Sequence, residues 1–391
     1  MNTLIKLLNK RKILLILLLF CIMVIFFNLL PIKSYSQNQN NNINFQEEYC
    51  IGVIKEIGKR KSENIGDINR ITQEIIEVKV KVLSGDYKGK EVLIEHVLMG
   101  HPVFDIKPIL NKKVVLMIDK EKNKTIFNIA DYYRADNLIY QLIIFLLLLI
   151  IIGGITGIRA IISLSITISL ILFILIPTTL KGYNPIIIAI VVSMISTLIT
   201  ILSVCGFNQK GIGAIIGVIF GFVISGLMSI LWIKLTSLSG LSGNESAIML
   251  RVSLGDKVNF SGLLGASMMI GALGAIMDIG VSVSSAIFEV KRANPDSTTI
   301  ELFKSGMNVG KDQIGTMTNT LVLAYVGTST PLLLLIISHN INLLKLFNLD
   351  MIATEITTAI TGSIGLVVTV PLTAIFTSLL FNSKSKLRDK H

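Results

Sequence analysis

The chain has 391 residues, of which 52% are hydrophobic and only 16% charged, with a mean hydropathy of +0.71. An ordinary globular domain has about 25% charged residues, so a water-soluble fold could not hide this much apolar surface. The net charge of +11 does not make a nucleic-acid-binding face, because the Lys and Arg residues sit beside hydrophobic runs and in one polar segment, not along a surface with interleaved aromatics.

The first apolar run, Ile13 to Leu30, follows Lys10, Arg11 and Lys12. A secretory signal begins in the same way. Its apolar core, however, exceeds the roughly 7–15 residues of a signal peptide, and no A-x-A site follows, only the weak Ser34 to Gln37. Residues 1–32 are therefore expected to be a cytoplasmic N-terminus and a retained transmembrane anchor. Residues 33–48 contain the Asn/Gln-rich run Gln37 to Asn44, which reads as a flexible linker.

A folded domain is expected over residues 49–136. From Ile76 to Val82 apolar Ile76, Val78, Val80 and Val82 alternate with Glu77, Lys79 and Lys81, the pattern of a half-buried strand. Gly85-Asp86-Tyr87-Lys88-Gly89 then turns into Val92 to Val97, which predicts a hairpin. Cys50 to Ile57, Val114 to Ile118 and Thr125 to Ile129 add strand-like runs. The expectation is a small all-β extracytoplasmic domain, OB-like or a sandwich.

Residues 137–382 read as a bundle of transmembrane helices, since a span needs about 20 predominantly apolar residues. The runs are Leu138 to Ile155, Ala160 to Ile176, Pro185 to Cys205, Ile212 to Ile233, Leu263 to Val290, Ile314 to Ile337 and Ile356 to Phe381. With the anchor they predict about eight transmembrane helices. Placing the N-terminus in the cytoplasm puts Lys10 to Lys12, Arg159, Lys210, Lys291, Arg292, Lys304, Lys311 and the basic tail of residues 383–391 inside. It leaves Lys181, Lys234, Arg251, Lys257 and Lys345 in the short outside loops. This asymmetry predicts that both termini are cytoplasmic.

The earlier spans are mostly Ile and Leu and read as scaffold. The last third differs. At 3.6 residues per turn, Ser267, Gly271, Gly274, Asp278, Ser282, Ser285 and Glu289 fall on one side of a helix. Its other faces are Leu, Met, Ile and Val. An ionised Asp near mid-bilayer costs roughly 3 kcal/mol, so this stripe is expected to face protein or water. Asn308, Asp312, Gly315, Thr316 and Asn319 form a second stripe, and Gly327 to Pro331 should loosen that span partway across. Glu355, Thr358, Gly362, Gly365, Thr369 and Thr377 form a third. If the stripes face one another they build a polar path through Asp278, Ser282, Ser285, Glu289, Asn308, Asp312, Asn319, Thr358 and Thr369. Gly271, Gly274, Gly315, Gly362 and Gly365 would then serve close helix packing. The competing reading is a tightly packed bundle that uses Thr and Gly only for contacts.

Three cysteines, and four histidines without the close pairing with Cys or carboxylates that a zinc site needs, suggest neither a disulfide framework nor a metal site, and no cofactor is expected. There is no phosphate-binding Gly-rich motif, no Gly-x-Gly-Asp of an intramembrane aspartyl protease and no Ser-His or Cys-His arrangement. The chain is therefore not expected to be an enzyme.

Gly271-Ala272-Leu273-Gly274-Ala275-Ile276-Met277-Asp278, Lys291-Arg292-Ala293-Asn294-Pro295, Ser305 to Asp312 and Gly315-Thr316-Met317-Thr318-Asn319-Thr320 resemble the YibE/F-like family of bacterial multi-pass membrane proteins. The resemblance covers the bundle and implies topology in the cell membrane, without a chemistry. Family members often carry a second acidic residue beside the position of Asp278, where this chain has Met277. Two functions fit these observations. One is a secondary permease or channel-like protein. The other is a non-transporting envelope protein whose β domain binds a partner. The expected partners are the lipid bilayer and an envelope protein or a second copy of the chain, with no nucleic acid.

Overall fold

The structure is a computed structural model that describes residues 48–64, 72–100, 105–121, 124–242, 245–339 and 342–388. The expected anchor Ile13 to Leu30 and the linker ahead of Glu48 lie outside the described residues. The chain divides into two compact units.

The first contains five strands: β1 (Glu48–Asn64), β2 (Thr72–Val82), β3 (Glu91–Leu98), β4 (Lys113–Glu121) and β5 (Lys124–Tyr132). All five belong to one antiparallel sheet in the order β3-β2-β1-β4-β5. The predicted alternation holds, with Ile76, Val78, Val80 and Val82 all fully buried against Ile54, Ile94, Leu116 and Ile118. Gly85 and Gly89 adopt the positive φ angles of 78° and 89° that close the β2–β3 hairpin, a region glycine enters without a Cβ penalty. Register shifts in β1, between Ile54 and Glu56 and again between Ile57 and Arg60, and one in β5, between Asp131 and Ile129, bend the strands. The sheet thereby curls over its own apolar face. A two-sheet sandwich is not what forms.

Several ion pairs decorate this unit, including Lys79–Glu91 at 3.1 Å, Lys120–Glu48 at 2.6 Å and Arg134–Asp131 at 2.6 Å. All are well exposed, where such pairs add little to stability. The Arg134 guanidinium still holds the Asp131 carboxyl below its usual range. Cys50 is different in kind. It is buried in the core, and burial pushes its thiol up.

The second unit is helical and takes in the chain from Leu149 onward. The helices are α1 (Ala135–Leu180), which begins in the first unit, α2 (Pro185–Cys205), α3 (Gln209–Leu235), α4 (Glu245–Leu254), α5 (Phe260–Ala293), α6 (Thr299–Thr328), α7 (Thr330–Ser338), α8 (Leu343–Phe347) and α9 (Asp350–Arg388). Five of them, α1, α2, α3, α5 and α9, are long and apolar enough to cross a membrane, and α6 with α7, bent by 60°, makes a sixth. The runs Leu138 to Ile155 and Ala160 to Ile176, expected as two spans, are joined in the 46 residues of α1. The backbone leaves the helical region at Gly154, near the end of the first run, with φ 54° and ψ −131°. The bend is sharp enough that a Cβ on Gly157 would collide with the Leu149 carbonyl oxygen.

Close packing of α3 on α9 organises this unit. A Cβ on Gly213 would strike Thr377, one on Gly217 would strike Thr373 and one on Gly221 would strike Thr369. On α9, Gly365 lies against Ser225 in the same way. The four-residue spacing places these positions one above another on each helix, so a groove of glycines receives a ridge of threonines. Helix α5 packs across both through Ile276, Ile279, Val283 and Ile287, with Phe222, Leu366 and Val370 completing the core. Helix α6 enters through Gly306 and Gly310, where Ile287 and Val370 fill the space a side chain would need.

Two outcomes follow. Gly217→Val should destabilise the detergent-solubilised protein by about 1–3 kcal/mol as an overpacked core, seen as a lower thermal midpoint. Gly274→Val, with nothing within 4 Å, should shift stability by less than about 0.5 kcal/mol. In the β unit, Cys50 should resist alkylation at pH 8 until denaturant is added, because a buried thiol with a raised pKa holds little reactive thiolate; peptide mass mapping reads the difference.

Candidate functional site

The polar stripe of α5 shares one face, as its spacing requires, but that face is turned away from the core. Ala272, Leu273, Ile276, Ile279, Gly280 and Val283 point inward, while Ser267, Gly271, Gly274, Asp278 and Glu289 are exposed and Ser282 and Ser285 half-buried. The stripe forms the floor of a groove with α2 on one side and α6 on the other. Around Asp278 the groove deepens into a cleft of ≈ 330 Å³, lined by Thr200, Ile201 and Val204 of α2, by Met277, Asp278, Val281 and Ser282 of α5, and by Met317 of α6.

Toward the start of α5 the same stripe enters a second, wider cleft of ≈ 740 Å³. Ser267 lines it, with Tyr325, Thr328 and Pro331 from the α6–α7 junction and Thr354, Glu355 and Thr358 from α9. Between the two clefts, Tyr325 reaches over Gly271, where a Cβ would stand 2.5 Å from the tyrosine hydroxyl. Gly271 is thus a crossing point rather than a dry helix–helix seam.

The break between α6 and α7 has a local cause. Pro331 has no N–H to give the Gly327 carbonyl four residues earlier, and the axis turns by 60°. Hydroxyls cover much of the freed backbone: Thr328 donates to the Tyr325 carbonyl at 2.9 Å and Thr330 to the Val326 carbonyl at 3.1 Å, and the Ser329 N–H reaches the Tyr325 carbonyl at 3.0 Å. Non-helical backbone at membrane depth is tolerated where it lies in protein or lines a cavity, and this one lines the wide cleft. At the start of α9, Asp350 accepts the hydroxyls of Ser239, at 2.6 Å, and Ser242, tying the loop after α3 to the cleft rim.

The expected path through Asp278, Asn319 and Thr369 is not assembled. Asp278 and Ser282 line the narrow cleft, and Thr358 lines the wide one, donating to the Thr354 carbonyl at 2.7 Å. Thr369 is buried at the α3–α9 contact with its hydroxyl on the Gly365 carbonyl at 2.7 Å. Asn308, Asp312, Gly315, Thr316 and Asn319 are exposed on α6, on the side away from buried Leu302, Gly306, Gly310 and Leu321. Ser285 donates to the Val281 carbonyl at 2.6 Å, and Glu289 pairs with Arg292 at 2.8 Å near the helix end.

Of the glycines expected to pack, Gly362 and Gly365 do, whereas Gly274 and Gly315 have no neighbour within 4 Å. Their side of the helix is the open one. Two features escaped the sequence reading. Glu355 was placed on a stripe but not on the path. The glycines of α3 were passed over inside an apolar run, although Gly213, Gly217 and Gly221 at four-residue spacing are a signal of close helix approach.

Five to six helices of membrane-crossing length beside an all-β unit fit a membrane protein. A family model described as YibE/F-like protein matches residues 141–383, and one described as YibE/F family N-terminal domain matches residues 44–132. The chain belongs to the YibE/F-like family. Neither the curated proteins nor the solved structures gave a match.

The groove can be tested by thiol accessibility in a chain whose Cys21, Cys50 and Cys205 are replaced by serine. Gly274→Cys and Ser282→Cys should react in membranes with a water-soluble, membrane-impermeant maleimide. Val283→Cys, on the opposite face and fully buried, should stay unmodified.

Proposed function

We propose that this chain is a secondary permease or channel-like protein of the bacterial cell membrane, and not an enzyme. The supporting observation is the α5 groove. One continuous polar stripe links two clefts, Asp278 standing in one and Glu355 in the other, beside a span broken at Pro331. Broken spans and ionisable groups at membrane depth are a recurrent way to bind solutes and ions in transporters. The path in this reading runs along Ser267, Gly271, Gly274, Asp278 and Ser282 and opens at Glu355 and Thr358. Tyr325, over Gly271, is its narrow point.

The distribution of Lys and Arg supports cytoplasmic termini and an extracytoplasmic β unit. The residues of α1 on either side of Gly154 then form two spans, Ala135 to Gly153 reaching about 28 Å at 1.5 Å per residue. With the anchor this restores an even number, eight in all. Strand order and curl favour an OB-like half-barrel for the β unit.

A second reading, an envelope protein that recruits a partner, draws on exposed Leu93, Met99, Ile109 and Leu110 of the β unit. The two separate in one experiment. Purified protein in liposomes is assayed for flux of protons, alkali cations and small solutes under an imposed gradient, with Asp278→Asn beside it. The permease reading expects a flux that Asp278→Asn largely removes. Absence of any flux, with crosslinks from the β unit to another envelope protein, would favour the second reading.

A further inference from the structure

We infer that the wide cleft at the α6–α7 break is a binding site for a monovalent alkali cation, centred on the Glu355 carboxylate. The inference concerns binding and stands whether or not the protein moves anything across the membrane.

The lining is a set of oxygens with one negative charge. Glu355 contributes the only carboxylate among the lining residues, and no Lys, Arg or His accompanies it. Around it stand the hydroxyls of Ser267, Tyr325, Thr328, Thr354 and Thr358. Hard oxygen donors of this kind suit alkali and alkaline-earth cations rather than softer metals. An anion would find no cationic partner there, and the rest of the wall is apolar, with Leu263, Leu264, Leu332 and Leu335.

Two of these oxygens carry a second, independent signal. The Tyr325 hydroxyl and Thr354 Oγ1 are buried and have no hydrogen-bond partner among the described residues. A buried polar group left unpaired is unfavourable, and a ligand in the cleft that takes their lone pairs would relieve that. A cation does so.

Charge count selects a monovalent ion. Sites for Ca²⁺ gather several carboxylates among six to eight oxygens, and among the described residues no group of three His, Cys, Asp or Glu side chains comes together. Asp350, earlier on α9, is not among the lining residues, and its Oδ2 accepts from Ser239 and Ser242. One carboxylate balanced by one positive charge leaves the cleft neutral.

The test uses the full chain in detergent, its thermal unfolding followed in NaCl, LiCl or KCl against choline chloride at equal ionic strength. A cation bound to the folded state raises the midpoint in a saturable way, and at least one alkali cation should do so while choline does not. Glu355→Gln should abolish this rise. Asp278→Asn, in the other cleft, should keep it. Should Glu355→Gln fail to unfold cooperatively, Tyr325→Phe combined with Thr354→Val takes its place and should raise the half-saturating concentration several-fold. The inference is overturned if alkali and choline salts act alike, if Mg²⁺ or Ca²⁺ alone saturates, or if either cleft variant leaves the midpoint curve unchanged. Cation binding without flux in liposomes would overturn the permease reading and leave this one standing.

Discussion

The helical unit depends on how closely α3 can approach α9. Three glycines one turn apart remove every Cβ from one strip of α3, and Thr369, Thr373 and Thr377 fill the space. Threonine suits the task because its hydroxyl can bond its own helix backbone and leave a methyl for packing, as Thr369 does through the Gly365 carbonyl. With these two helices in near backbone contact, α5 packs its apolar face against both of them.

The orientation of α5 then decides where polarity can go. A helix with Ile276, Ile279, Val283 and Ile287 locked into the core must present the opposite side outward, and on that side lie Gly274, Asp278 and Ser282. Helices α2 and α6 flank it and turn an exposed stripe into a recessed one. Polarity in this fold is therefore at the margin of the bundle, not along its axis. The central seam between α3 and α9 is polar in composition yet closed: Thr369 bonds its own helix backbone, Thr377 reaches Ser284 of α5, and Thr373 and Ser225 are buried in the contact itself.

This explains which parts of the architecture could be read from the sequence. The β unit was legible strand by strand, because period-two alternation such as Ile76 to Val82 encodes which side is buried, and a single buried sheet face leaves no ambiguity. Helix existence and the break before Pro331 were legible for similar local reasons. The direction in which a stripe points was not. A face rich in Gly, Ser and Asp tells that it avoids lipid, but not whether it avoids lipid by packing, as Gly362 and Gly365 do, or by lining a groove, as Gly274 and Asp278 do. That choice is made by the partner helix, and the decisive pattern, Gly213, Gly217 and Gly221, lay in a segment whose composition looked uniform. The kink in α1 was less legible: only the backbone at Gly154, with φ 54° and ψ −131°, shows where one helix gives way to the next.

The outward side of α6 carries the argument one step further. Gly306 and Gly310 admit Ile287 and Val370 so tightly that α6 cannot rotate without losing both contacts. Asn308, Asp312, Gly315, Thr316 and Asn319 are consequently fixed on the side facing away from the bundle. In hydrocarbon an amide such as that of Asn319 would forfeit its hydrogen bonds, at a cost of several kcal/mol on the order set by apolar transfer. An arrangement that holds such a stripe outward is stable in a bilayer only where water or protein, not acyl chains, covers it. The packing that recesses the α5 stripe thus leaves the α6 stripe as a surface that the described residues do not cover.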